Sequence, residues 1–580
     1  MTVAVSFAVS AFLLAATGDA ATPAKELLPG FHRSPWFGEQ VKEQWIEGDV
    51  RVLVNVAANF DPARPTRLVI YATPNGNTIE QTLGCGPSPG LDWHFDIQHV
   101  AAQVRRFRES TPKENVVLAC VQTEGLSWPA WRSSHEDAPA RARRVVDWVK
   151  ALLPNMAVRV TLTGHSGGGS FVFANIDAAD AIPADIERIA FLDSNYSYSD
   201  KLKHGDKLLA WLRGDENRRL HVIAYDDREI TVNGKKVVSA DGGTFRATHR
   251  MLDRFNKDIE IAKTTINNAE VYSGLGGRFS ARIHLNPKNA ILHTALVGEM
   301  NGLLLVLSNG EFVPPILDGG LIGPRSYTKW VQPAPGIPAR PADAPGGAAF
   351  IKSIAGLSRN AREEAIAAEI GRGNIPDFLR SFQAITVKAK DTAGKEHTAT
   401  YEVMPDYLAV GSNADFVRVP MSPLTAQRIA DAFGCTLPTR KIADDVYKQA
   451  AVKLAPIPLT EGREAVETFM KHNDLIEKQR AGKELGQLVA GIKKDVVVTN
   501  RLGEKPNRVA IYGWHKLDGT PIQPLTIVHV NWYVDYSHGV RLMKRAVMVD
   551  SKPRDVRAVS HSAESNGLLS DEGAIQFPSY

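Results

Sequence analysis

Ser166 stands in Gly164-His165-Ser166-Gly167-Gly168-Gly169, a G-x-S-x-G pattern with a further glycine behind it. A serine hydroxyl is a poor nucleophile at neutral pH, so the pattern carries chemistry only where a base can take its proton. Glycine is common in this chain, and the pattern by itself says little. Its surroundings say more. VRVTLTG before it reads as a buried strand and SFVFANIDAAD after it as the start of a helix. Strand, sharp turn and helix are what present a nucleophile above the end of a sheet, and small residues suit a strained turn. The Lys-Ser/Thr pair of a phosphate-cradling loop is absent.

With this motif order, residues from about 50 to 310 resemble the α/β-hydrolase family. The resemblance implies a mostly parallel sheet with helices on both faces and a serine hydrolase that needs no cofactor. It implies His293, in the loop after FSARIHL and before an apolar helical run, as the base for Ser166. His284 falls inside that strand, and His165 takes the variable position of the turn. The acid that orients the base is expected after the second strand beyond the turn, at Asp227 or Asp226, with Asp227 favoured. Asp193 follows the first such strand, a place a few hydrolases use. A solvated loop carboxylate is the plain alternative for each. The oxyanion would be met by the backbone N–H of Gly167 and by the loop Pro74-Asn75-Gly76-Asn77, through Asn75 or Gly76. That loop departs from the His-Gly-Gly-Gly form of many lipases, so lipase activity is not implied. An ordinary Asn-Gly turn remains the alternative there.

The elements that must hold these residues are legible as alternating periods. RVLVNVAA, RLVIYAT, NVVLACVQT, VRVTLTG, IERIAFLD, HVIAYDD and FSARIHL read as strands, with helices such as ARARRVVDWVKALL between them. Such alternation predicts crossover connections. Between Asp227 and His293 the chain is longer than one strand and turn require. VNGKKVVS and THRMLDRFNKDIEIAK are expected to overhang the site as a lid or to elaborate the scaffold.

A chain of 580 residues is too long for one core. The Pro/Ala/Gly run at residues 332–347 reads as a linker. It divides a hydrolase-like domain at residues 25–331 from an α+β domain at residues 348–580, which matches no family motif. The latter is expected to begin with a helix at NAREEAIAAEIG and close with strands in RVAIYGWH and TIVHVNWYV. Residues 1–24 combine an apolar run with small residues, as a secretory signal does, which predicts a secreted or periplasmic protein. The 44 % hydrophobic and 23 % charged content is that of globular domains. A net charge of +4 without a basic stripe gives no reason to expect a nucleic-acid partner. Three cysteines allow at most one internal bridge, and Cys85 with Cys120 is the plausible pair; buried free thiols are the alternative.

The second half gathers His472, Asp495, His515, His529, Asp535 and His538 near aromatic residues, in segments read as strands and turns. Of these, His515, His529, Asp535 and His538 are the weak candidates for a metal site, in a spacing that matches no zinc signature. Trp514, Trp532, Tyr533 and Tyr536 suit a core or, alternatively, stacking on sugar rings. Nothing local marks Cys435 as an activated thiol. The chain is thus expected to be an exported serine hydrolase acting on an ester or amide, polymeric substrates included, its second domain contacting cell wall or polysaccharide. Two rival readings are a metal-dependent cell-wall peptidase in the second domain and a non-enzymatic binding protein.

Overall fold

Seven- and nine-residue apolar runs with every residue buried, Thr66–Ala72 and Asn115–Thr123, form the middle of the main sheet. The computed structural model describes residues 27–88, 91, 97–153, 157–266, 268–308 and 325–580. The proposed signal segment lies outside the described residues.

The strands of the first half are β1 (His32–Arg33), β2 (Gln40–Ile46), β3 (Val50–Val56), β4 (Thr66–Ala72), β5 (Asn115–Thr123), β6 (Val158–His165), β7 (Ile186–Leu192) and β8 (Arg219–Tyr225). A short hairpin, β9 (Thr231–Val232) and β10 (Lys235–Lys236), precedes β11 (Ile261–Ile266), β12 (Ala269–Gly274) and β13 (Phe279–His284). Eleven of them form one sheet in the order β1-β2-β3-β5-β4-β6-β7-β8-β13-β12-β11. From β5 to β13 the neighbours are parallel; the outer strands on either side are antiparallel. All seven segments read as strands are strands of this sheet.

Helices cover both faces: α1 (Ile79–Leu83), α2 (Val100–Ser110), α3 (Trp128–Ser134), α4 (Ala138–Ala151), α5 (Gly169–Asp177), α6 (His204–Gly214), α7 (Thr244–Phe255) and α8 (Gly302–Leu307). Because strand side chains alternate, Leu68 and Ile70 of β4 pack with α3 to α7, whereas Val69 and Tyr71 pack with α1, α2 and α8. This arrangement is an α/β-hydrolase-like fold. The stretch expected to overhang the site is largely scaffold: α7 packs against β8, and β11 and β12 extend the sheet edge.

Residues 332–346 carry no helix or strand. Beyond them, separate apolar clusters form around short strands and helices. One sheet orders Gln383–Lys390, Glu396–Val403, Met543–Val549 and Cys435–Thr436, with Lys552–Asp555 also beside Met543–Val549; another orders Pro521–Thr526, Ile511–His515, Lys494–Val496 and His538–Gly539. A helix spans Arg359–Gly371 as the periodicity predicts. Two segments depart from expectation. Most of TIVHVNWYV is irregular after Thr526, and KHNDLIEKQ lies inside the helix Val466–Arg480.

The halves meet through polar and aromatic contacts. Trp45 stacks on His561 at 3.9 Å, and His561 Nε2 lies 2.6 Å from the Gly48 carbonyl. The Cys85–Cys120 bridge is not formed: all three cysteines are buried free thiols, Cys120 packed within the sheet.

Candidate active site

In the parallel ladder of β6 and β7, His165 lies opposite Leu192. The next residues, Ser166 and Asp193, therefore leave adjacent strands side by side at the carboxyl edge of the sheet, where open α/β sheets place their ligands. Both adopt left-handed backbone, with φ of 53° and 47°. That conformation is uncommon outside glycine and costs on the order of 1–3 kcal/mol, so the surrounding packing must enforce it. At the turn it does: a Cβ on Gly168 would stand 2.3 Å from the Ala72 carbonyl oxygen, so only glycine lets α5 settle against the end of β4.

His293 reaches this edge from the loop between β13 and α8. Its Nδ1 lies 2.5 Å from Oδ2 of Asp193, whose side chain is wholly buried. The other oxygen of Asp193 accepts the hydroxyl of Thr244, the first residue of α7. The histidine ring remains partly open to solvent, with Tyr196 approaching it edge-on at 6.4 Å.

The carboxylate that holds His293 is thus Asp193, and the expected placement of the acid after β8 is corrected. Asp226 pairs with Arg228 at the surface, 2.7 Å away. Asp227 turns inward and accepts the Thr244 backbone N–H at 2.7 Å, capping the N-terminus of α7. Burial, with Asp193 nearby, pushes its pKa up to about 6. Asp227 therefore supports Asp193 through Thr244 and makes no contact with His293.

His165 is more than the variable residue of the turn. Completely buried, it receives the Gln98 amide on Nδ1 at 2.7 Å, which leaves the proton on Nε2 to donate to the His293 carbonyl at 2.9 Å. Burial, and then the neighbouring His293, hold it well below the usual histidine range and so neutral. Gln103 ties the same loop to α2, donating to the Val297 carbonyl and accepting from the Leu304 N–H. The sequence signal for His165 was its position inside the turn; Gln98 and Gln103 carried none.

Asn75 packs against the turn so closely that a Cβ on Gly167 would meet its Oδ1 at 1.9 Å. Gly76 is not available as an oxyanion donor, because its N–H donates to the Leu126 carbonyl at 2.8 Å.

The second-half candidates do not converge into a ligand set: among the described residues no three His, Cys, Asp or Glu side chains are placed to hold a metal. His515 pairs with Asp444 at 2.8 Å. Asp535 accepts from Arg463, Tyr533 and Ser537, and His538 approaches it only to 4.0 Å. His529 stacks on Tyr533 at 4.4 Å.

No family model matches the chain, and no curated protein matches it. Among solved structures it is similar to the siderophore hydrolase EstB from Aspergillus nidulans, at 14 % identity over 51 % of this chain and 99 % of that one, with a TM-score of 0.27. The Thermogutta terrifontis esterase 2 phosphoramylated by tabun gives 13 % identity over 48 % and 97 %, with a TM-score of 0.26. The Porphyromonas gingivalis dipeptidyl peptidase 4 gives 12 % over 44 % and 33 %, with a TM-score of 0.21. Likeness at this level carries no argument about activity, and the reading below rests on the site.

Proposed function

We propose that the protein is a serine hydrolase in which Ser166 attacks an ester or amide carbonyl, His293 takes and returns the proton, and Asp193 orients the imidazole and stabilises its charged form. The Gly167 N–H and the adjoining Asn75 meet the oxyanion, and water then hydrolyses the acyl-enzyme. The observation that carries this reading is the buried Asp193–His293 contact beside a serine held in left-handed backbone on the neighbouring strand end. The Thr244 hydroxyl on the second oxygen of Asp193 fixes the carboxylate, leaving the first for His293. In this reading residues 1–24 are removed on export, residues 25–331 form the hydrolase domain, and residues 348–580 form a second domain. Half-exposed Trp532, with the Arg359 guanidinium 4.1 Å above its ring, supports a surface contact with a polymeric substrate there.

A fluorophosphonate probe applied to the purified chain tests the proposal. Labelling of the wild type that disappears in Ser166→Ala and is strongly slowed in Asp193→Asn is expected. A folded wild type that does not label, or a Ser166→Ala protein that still does, would overturn it.

A further inference from the structure

Just beyond Asp193, at the carboxyl edge of the main sheet, a short helical turn, Asn195–Ser197, brings Tyr196 beside His293. The chain around Tyr196 is closely tied. Ser194 donates its hydroxyl to the Gly164 carbonyl at 2.8 Å, and its own carbonyl leaves no room for a Cβ on Gly169. Asn195 donates to the Thr248 hydroxyl at 3.0 Å, the Ser197 and Ser170 hydroxyls meet at 3.2 Å, and Tyr198 packs in the core. Tyr196 itself is displayed. It is 41 % exposed, its ring centroid 6.4 Å from that of His293 with the planes at 66°.

The hydroxyl end of Tyr196 faces Asp193, Tyr225 and Asp227, and burial there, with those groups, holds the phenol neutral well above its usual range. What the residue shows to solvent is therefore ring carbon, a flat apolar surface that offers no hydrogen bond. A backbone tied on both sides presents that ring with little left to order when a ligand arrives. Core packing does not account for it, because Tyr198, two residues on, takes the core position.

The chemistry says which part of a substrate meets this ring. The proton that His293 takes from Ser166 passes to the leaving oxygen as the C–O bond breaks, so the leaving group lies on the His293 side of the scissile carbonyl. Tyr196 stands on that side. We infer that Tyr196 is a specificity-determining residue, the wall of a leaving-group subsite that takes esters of alcohols bearing an aromatic ring. Ring-on-ring packing favours such a group over a saturated one of the same size. The inference rests on Ser166 and His293 acting as proposed above and names the substrate class they serve.

Benzyl acetate and cyclohexylmethyl acetate test it, since they match in size and reaction and differ in the ring. The kcat/KM of the full chain is expected to favour benzyl acetate about fivefold. Tyr196→Phe should keep that preference, and Tyr196→Leu, which retains apolar bulk, should lose it. Fluorophosphonate labelling of each variant shows that Ser166 is still presented, so a changed preference is not the mark of a collapsed site. A labelled wild type without the preference, or a preference that survives Tyr196→Leu, would overturn the inference. The subsite also has a readout that needs no turnover. Ligand-observed NMR of Ser166→Ala should show tighter binding of benzyl acetate than of its saturated counterpart, and adding Tyr196→Leu should make the two equal. If the probe leaves Ser166 unlabelled, the serine assignment fails by itself, and this binding decides whether Tyr196 takes an aromatic group.

Discussion

The edge of the main sheet and the His472–His538 region of the second half both gather histidines, carboxylates and aromatics, yet the structure treats them oppositely. At the sheet edge, beside Ser166 in left-handed backbone, Asp193 in the same conformation meets a histidine whose ring remains reachable, with the second carboxylate oxygen fixed by Thr244. In the second half, burial suppresses the charge of several groups. Lys493 is fully enclosed and brought down to about 7, Asp495 is pushed up to about 6, and His538 is held at about 4, each chiefly by desolvation. A density of titratable residues is therefore not a site. Strain, fixed orientation and access together are what distinguish one.

The largest effect that would sharpen this contrast is the replacement of the acid. Asp193→Asn keeps the shape but removes the charge that favours the correct imidazole tautomer and its protonated form. A fall in kcat of about 10⁴ is expected, as measured by initial rates on an activated ester once one is found. Asp227→Asn should leave the rate within about tenfold, since Asp227 holds the N-terminus of α7 and makes no hydrogen bond to His293. Equal losses from the two changes would break the assignment of Asp193.

The same pair differs in stability. Asp227 titrates near 3.8 when unfolded and about 6 when folded, so the native state binds the extra proton between those values. Stability accordingly falls as pH rises from about 4 to 6, and above 6 the penalty is complete, up to about 3 kcal/mol. Asp227→Asn should recover much of it at pH 7 and flatten the profile in that window, read by urea unfolding at several pH values.

His165 offers a smaller and more specific test. Its ring closes a chain from Tyr71 through Gln98 to the carbonyl of His293, so His165→Ala loosens the base without touching reactants. A loss of roughly ten- to a hundredfold in kcat with little change in KM is expected. If His165 were merely filling space, His165→Leu would restore the rate; as a positioning residue it should not.

The central strands were legible because strands buried on both faces read as continuous apolar runs, and Ser166 because a strained turn demands glycine. The acid was not legible. Three aspartates follow two successive strands, and only the register of His165 opposite Leu192 puts Asp193 beside Ser166. Gly76 was misread for a similar reason: an Asn-Gly turn looks open until the Leu126 carbonyl is seen to occupy its N–H. The second half resisted reading because most of its strands are short and several pair out of sequence. Met543–Val549, for example, lies between Glu396–Val403 and Cys435–Thr436, so local periodicity carries little of the arrangement.

The smallest expected effect tests the other side of the comparison. His538 is buried, and neither ring nitrogen has a hydrogen-bond partner among the described residues. Its pKa falls from about 6.5 unfolded to about 4 folded, so the native state favours the neutral ring. That contribution is complete above about 6.5 and is lost as pH falls toward 4, opposite in sign to the contribution of Asp227 across the same range. His538→Phe removes no hydrogen bond and should change stability at pH 7 by no more than about 1 kcal/mol. It should make the protein more resistant to acid between pH 6 and 4 and leave fluorophosphonate labelling untouched. Loss of labelling in a folded His538→Phe protein would show that the second half supplies chemistry to the serine site, and the distinction between the two regions would fail.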